Sequence, residues 1–266
     1  MFCDTIRRLL YFPEDTNSMR RSLPMKSLAA IFFIIAFFPV AASAANPREI
    51  IVHTPDGWTL HGTYYPGREG MPVILLMHKL GSDRSEFAGL ARELSARGYN
   101  VAAYDARGHG ESTQHGGRRE TFESFSDRDF ENMTIDEGAV LGYLRRNGAE
   151  KDVPVGLVGA SIQSSTGLIY AAKHPEVKAL VMLSPGLAYH NIDTTLPMKE
   201  YGKRPVFIAA SREDTTSYEA VGVLSKLAQG PKKVVILSDA GHGAQMFQKD
   251  PKLLTQVADW LGEYLK

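Results

Sequence analysis

Cysteine is nearly absent: Cys3 is the single one in 266 residues. It precedes a segment that reads as removable, so disulfides and thiol chemistry drop out for the rest of the chain. An excess of charge is absent too, with 30 basic and 30 acidic residues. A balanced chain gives no reason to expect nucleic acid as a partner. No His-Glu-x-x-His pattern or Cys/His cluster marks a metal site. No Gly-x-Gly-x-x-Gly follows a strand-like run, so no nucleotide is expected and no cofactor is required. Repeats and low-complexity tracts are missing. So is an apolar run of the roughly 20 residues needed to span a bilayer.

What is present begins with Arg20, Arg21 and Lys26, followed by an apolar run from Leu28 to Phe38. Pro39 and then Ala42-Ser43-Ala44 close it. Basic residues, a short apolar run and small residues are the layout of a secretory signal peptide. We therefore expect residues 1–44 to be removed, with translation starting at Met1, Met19 or Met25. Residues 45–266 form a single domain, secreted or periplasmic, with no membrane span after cleavage. No cysteine follows the run, which excludes a lipid anchor at that residue.

Residues 48–54 and Trp58–Tyr65 are β-rich around the turn Pro55-Asp56-Gly57, which predicts a hairpin. Continuous apolar runs follow at Pro72–His78, Val101–Asp105, Val155–Val158, Ala179–Leu183, Pro205–Ala210 and Lys233–Leu237. Runs of this kind suit strands buried on both faces of a parallel sheet. Helical spacing separates them at Ser85–Arg97, Glu131–Arg146, the stretch after Ser161, Ser217–Ala228 and Pro251–Leu265. Gly108–Phe130 is polar and glycine-rich and reads as a loop. The pattern predicts an α/β fold with a mostly parallel sheet of about eight strands, flanked by helices.

In such sheets function gathers at the C-terminal ends of strands. His78-Lys79-Leu80-Gly81-Ser82 follows the first long run, and Asp105-Ala106-Arg107-Gly108-His109-Gly110-Glu111-Ser112 the next. Ser161 lies in Gly159-Ala160-Ser161-Ile162-Gln163, at a turn into a helix. Ser211-Arg212-Glu213-Asp214 and Asp239-Ala240-Gly241-His242-Gly243 end the last two runs. A serine, an acid and a histidine thus occur in that order. A serine hydroxyl is a weak nucleophile unless an imidazole takes its proton, and the imidazole needs a carboxylate to hold its tautomer. The oxyanion formed on attack needs fixed N–H donors, worth about 3–4 kcal/mol each.

With these motifs the chain resembles the α/β-hydrolase superfamily from about residue 48 to its end, in the esterase/lipase or serine aminopeptidase-like branch. Residues 105–112 are close to the Asp-x-Arg-Gly-x-Gly-x-Ser pattern common in these enzymes. The resemblance implies Ser161 as nucleophile, His242 as base and Asp214, rather than Glu213, as the orienting acid. It implies an oxyanion hole from the backbone N–H groups of Leu80 and Ile162. Asp239 reads as a turn former and Asp193 as solvated. His78 reads as the pin of the oxyanion loop, and Arg107 and His109 as holding their own loop. Two residues depart from the pattern: Lys79 and Gln163 stand where glycine is usual. We expect them to lie near each other and shape the oxyanion side of the pocket. Larger members insert a helical cap where this chain has only Pro185–Arg204, so the cap is minimal. Leu187, Tyr189, Met246 and Phe247 are expected at the rim. The implied activity is hydrolysis of carboxylic esters or related small acyl substrates. A serine peptidase of the same fold is an alternative. So is a non-catalytic binding protein, motivated by Lys79 and Gln163.

Overall fold

A computed structural model describes residues 46–149 and 152–266. The signal-peptide reading of residues 1–44 lies outside the described residues. Strand β1 (Arg48–His53) pairs antiparallel with β2 (Trp58–Tyr65), as the Pro55-Asp56-Gly57 turn predicts. Six strands are then laid parallel: β3 (Val73–Met77), β4 (Asn100–Tyr104), β7 (Val155–Ala160), β8 (Val177–Leu183), β11 (Val206–Ser211) and β12 (Lys232–Leu237). The spatial order is β12-β11-β8-β7-β3-β4-β2, with β1 on the far side of β2.

Among the described residues the sheet holds ten strands rather than about eight. The additional pair is β5 (Gln114–His115) and β6 (Arg118–Arg119), which pairs onto β2 within the stretch expected to be loop. Gly116 and Gly117 both take positive φ, 54° and 83°. That is the backbone of a two-residue hairpin turn, which glycine adopts without strain. A short helix α2 (Asp127–Glu131) also lies in this stretch, opened by a Ser126–Asp129 capping box.

Every residue of β3, β4 and β7 is buried. Their side chains alternate between two apolar layers. Val73, Leu75 and Met77 join α3 (Thr134–Arg146), α4 (Ile162–Lys173), α5 (Thr195–Glu200) and α6 (Thr215–Leu227) on one face. Ile74 and Leu76 join α1 (Ala88–Ala96), α7 (Gln245–Lys249) and α8 (Pro251–Tyr264) on the other. Two covered faces explain why these strands read as unbroken apolar runs. Met246 and Phe247 belong to that second layer, 0% and 8% exposed, and do not stand at a rim. They are the inward side of α7, and Phe247 packs edge-on against Phe87. Among the described residues no helix is long and apolar enough to cross a membrane.

The chain enters the parallel sheet at β3, steps outward to β4, then returns to the other side of β3 and runs on through β7, β8, β11 and β12. The connections therefore diverge between β3 and β7. Helices leave the sheet in opposite directions there, and a crevice opens above the strand ends.

Candidate active site

Ser161 ends β7 and opens α4 with φ 55° and ψ −126°. This is the conformation that glycine takes at the first central position of a type II′ turn, and a side chain holds it under strain. Gly159 makes the bend possible. A Cβ there would lie 2.5 Å from the carbonyl oxygen of Gln163 and 2.7 Å from Cα of Ser164. The Ser161 N–H donates to the Leu183 carbonyl at 2.8 Å, and the Ser161 carbonyl accepts from the Ser164 N–H at 2.9 Å. Its backbone is thus tied to β8 and to α4, while its hydroxyl bonds no other described residue and faces a cavity of about 330 Å³.

Asp214 and His242 line the same cavity. His242 Nδ1–H donates to Asp214 Oδ2 at 2.7 Å, leaving Nε2 as the free face of the ring. Asp214 is placed by the turn from β11 into α6. Glu213, the rejected neighbour, has a different task. Its carboxylate accepts from the N–H groups of Asp239 and Gly241, both at 2.8 Å, and from the Ser211 hydroxyl. These bonds, the Ser211 hydroxyl first, hold the Glu213 carboxyl down to about 2. Ser211 in turn accepts from the Ala240 N–H at 2.8 Å. The acid next to the candidate orienting acid therefore fastens the loop that carries His242. Asp239 is the turn former, at φ 52°, and Asp193 is exposed and caps α5 through Thr195.

The oxyanion side is built around His78, fully buried at the end of β3. Its Nε2 accepts from the Ala106 N–H at 3.0 Å, so its Nδ1–H donates to the Lys79 carbonyl at 2.7 Å. Burial first, and His109 second, push its pKa down to about 3, so the ring is neutral. It joins the β3 and β4 loops as a strut. Leu80 and Ile162 line the cavity, and no hydrogen bond among the described residues uses the N–H of either one. Ile162 is the first residue of α4, where unpaired N–H groups and the helix dipole favour negative charge.

Lys79 and Gln163 both act on this turn, but neither lines the cavity. Gln163 is buried, and its Nε2 donates to the His78 carbonyl at 2.7 Å. Lys79 turns aside, with its ammonium 3.4 Å from Glu86, whose carboxylate also accepts the Lys79 N–H at 3.1 Å. Arg107 is buried between Asp136 and Asp56. Burial works against its charge, but the two carboxylates outweigh it and raise its pKa. This cluster anchors the loop after β4.

The remaining wall comes from the segment after β8. Among the described residues the hairpin β9 (Ala188–Tyr189) and β10 (Ile192–Asp193), followed by α5, stands where a larger cap would be inserted. Ala188 and the half-exposed Tyr189 line the cavity; Leu187 instead packs on the core. His190 at the hairpin tip pairs with Asp127 of α2 at 2.7 Å and stacks on Phe130 at 4.1 Å. The 108–130 stretch thus covers nothing directly; it props the hairpin that does. Among the described residues no group of three or more His, Cys, Asp or Glu is placed to hold a metal ion.

Residues 69–257 match the family described as serine aminopeptidase, S33. The chain belongs to this S33 family. It is a serine hydrolase of the α/β-hydrolase fold. The S33 chain is 26% identical over 273 residues to Rv2307c, an uncharacterised protein of Mycobacterium tuberculosis, spanning 88% of this chain and 90% of that protein. Its fold is similar to the Pyrococcus furiosus esterase Pf2001, with a TM-score of 0.66, 17% identity, and 83% and 91% of the two chains covered. A dienelactone hydrolase from Anabaena variabilis is similar with a TM-score of 0.62, 19% identity, and 84% and 100% covered.

Proposed function

We propose that this S33 protein hydrolyses carboxylic esters or related acyl compounds through an acyl-enzyme on Ser161. The observation that carries the reading is His242 Nδ1 held by Asp214 at 2.7 Å in the cavity that also holds Ser161. His242 Nε2 takes the Ser161 proton as Oγ attacks the carbonyl, then returns it to the departing alcohol. The N–H groups of Leu80 and Ile162 receive the oxyanion. Water, activated by the same imidazole, releases the acid and restores Ser161. Gln163 supports the Leu80 turn from below through His78.

Esters are favoured over peptides with a free amino terminus. Binding an ammonium group calls for an unspent carboxylate. The carboxylate on the cavity wall is Asp214, and it is engaged with His242. A fluorophosphonate probe is expected to label the wild type and not Ser161→Ala, and a p-nitrophenyl ester series to turn over on residues 45–266. Absence of labelling, or labelling that survives Ser161→Ala, refutes the triad. Export is part of the proposal: the mature protein is expected outside the cytoplasm with Ala45 at its amino terminus, read by fractionation and N-terminal sequencing.

A further inference from the structure

The cavity wall carries hydroxyl groups that the triad does not use. Ser165 lies one turn beyond Ser161 on α4, 5% exposed, and Ser217 lies in the first turn of α6 beyond Asp214, 3% exposed. Both line the cavity. A buried helical serine usually donates back to a carbonyl of the preceding turn. Ser164 does this, to the Ser161 carbonyl at 2.6 Å. The hydroxyls of Ser165 and Ser217 form no hydrogen bond with any described residue. Ser184 joins them from the end of β8; its Oγ accepts from the Gly243 N–H at 2.9 Å, which leaves its own O–H to give. Three hydroxyls from three strand ends thus face one small space, open to it and with donors free for a bound group. Hydroxyls of this kind are costly to leave dry and unpaired.

We propose that the site selects substrates carrying an uncharged, hydroxyl-bearing group beside the scissile acyl bond, and that Ser165 and Ser217 read that group. The inference rests on the hydrolase reading above and names its substrate class. A charged group finds no partner, since among the described residues no lysine or arginine lines the cavity and its carboxylate is spent. Leu80, Ile162, Ala188 and Tyr189 on the same wall pack the carbon skeleton of such a group. An alkyl group of matching size strips water from the hydroxyls and returns nothing, a loss of about tenfold for each one left bare. The hydroxylated group sits in the acyl half, as in a short hydroxy acid, or in the alcohol half, as in a glycerol ester.

The test compares size-matched pairs on the wild type. One arm sets p-nitrophenyl 3-hydroxybutyrate against p-nitrophenyl butyrate. The other sets monobutyryl glycerol against propyl butyrate in a pH-stat. One arm is expected to favour the hydroxylated partner by about tenfold or more in kcat/KM, and the arm that does so identifies the half. That ratio is expected to fall towards one in Ser165→Ala and Ser217→Ala. Each ratio is taken within one preparation, so partial loss of fold cancels. Equal rates within both pairs, or a ratio unchanged in both variants, overturn the proposal. Fluorophosphonate labelling separates the two levels: a labelled enzyme with flat ratios defeats only this inference, and an unlabelled one defeats the hydrolase reading beneath it.

Discussion

Removing the Cβ of Ser161 should strengthen the fold while ending its chemistry. The residue holds φ 55° and ψ −126°, a conformation that costs a side chain about 1–3 kcal/mol. Ser161→Ala and Ser161→Gly both lose the hydroxyl, and no capping hydrogen bond depends on it. They differ in the Cβ alone. Glycine relieves the strain but brings about 0.5–1 kcal/mol of extra unfolded-state entropy. The difference leaves Ser161→Gly ahead of Ser161→Ala by about 1 kcal/mol, or about 2–4 °C in Tm for a domain of this size. Urea and thermal unfolding of the two variants, both confirmed inactive toward a fluorophosphonate, measure it. In an ordinary helical position the order reverses, with alanine ahead. Finding alanine equal or ahead refutes the strained turn, and with it the account of how the hydroxyl is projected into the cavity.

Other outcomes follow from the same geometry. Asp214→Asn should lower kcat by roughly 10³–10⁴ through the wrong His242 tautomer. Glu213→Ala should cost about tenfold in kcat/KM by freeing the loop behind His242, so steady-state kinetics of the pair separates orienting acid from loop fastener. Gln163→Ala leaves the His78 carbonyl bare, a loss of about 1–3 kcal/mol; a lower Tm with a fall in kcat rather than a rise in KM is expected. Glu137 is buried behind α4, with one oxygen accepting from Thr166 and the other unpaired. Burial, then Asp136, push its pKa up to about 8 from 4.5. The folded chain therefore keeps a proton that the unfolded chain releases, and stability declines as pH climbs from about 4.5 towards 8, by at most about 1.4 kcal/mol per unit. In Glu137→Gln this decline should vanish, so its Tm should gain on the wild type between pH 5 and pH 9. A constant gap overturns the assignment.

The parallel strands were legible because both of their faces are covered. Val73 to Met77 feed two layers in alternation, and no polar residue is left to break the run. Ser161, Asp214 and His242 stand out as candidates because each lies a few residues beyond the end of such a run. The β5–β6 hairpin was not read, although Gly116-Gly117 is a turn signal, because its strands are two residues long and polar. They are held by pairing, β5 with β2 and β6 with β5, not by apolar burial. Glu213 was invisible for a different reason. It acts on backbone N–H groups 26 and 28 residues away, and a contact with main chain leaves no residue type to recognise. Met246 and Phe247 misled because apolar residues just past a site suit a rim and a core equally. Gln163 departs visibly from the family pattern, but that its side chain donates to the His78 carbonyl is a contact with main chain that no residue type announces.

The divergence of the chain between β3 and β7 also has a meaning for synthesis. The site collects Leu80 from the first third of the chain and His242 from near its end, with 24 residues to follow. The intervening groups come from three separate strand ends. A ribosome-bound chain holds Ser161 and the Leu80 and Ile162 N–H groups long before it holds the proposed base, and His242 has no fastening until Glu213 and the 239–243 loop meet. Competence is therefore withheld until the last turn of the sheet is laid down. On the proposed mechanism, hydrolytic activity reports completed assembly, and a chain cut short anywhere before His242 is a harmless one.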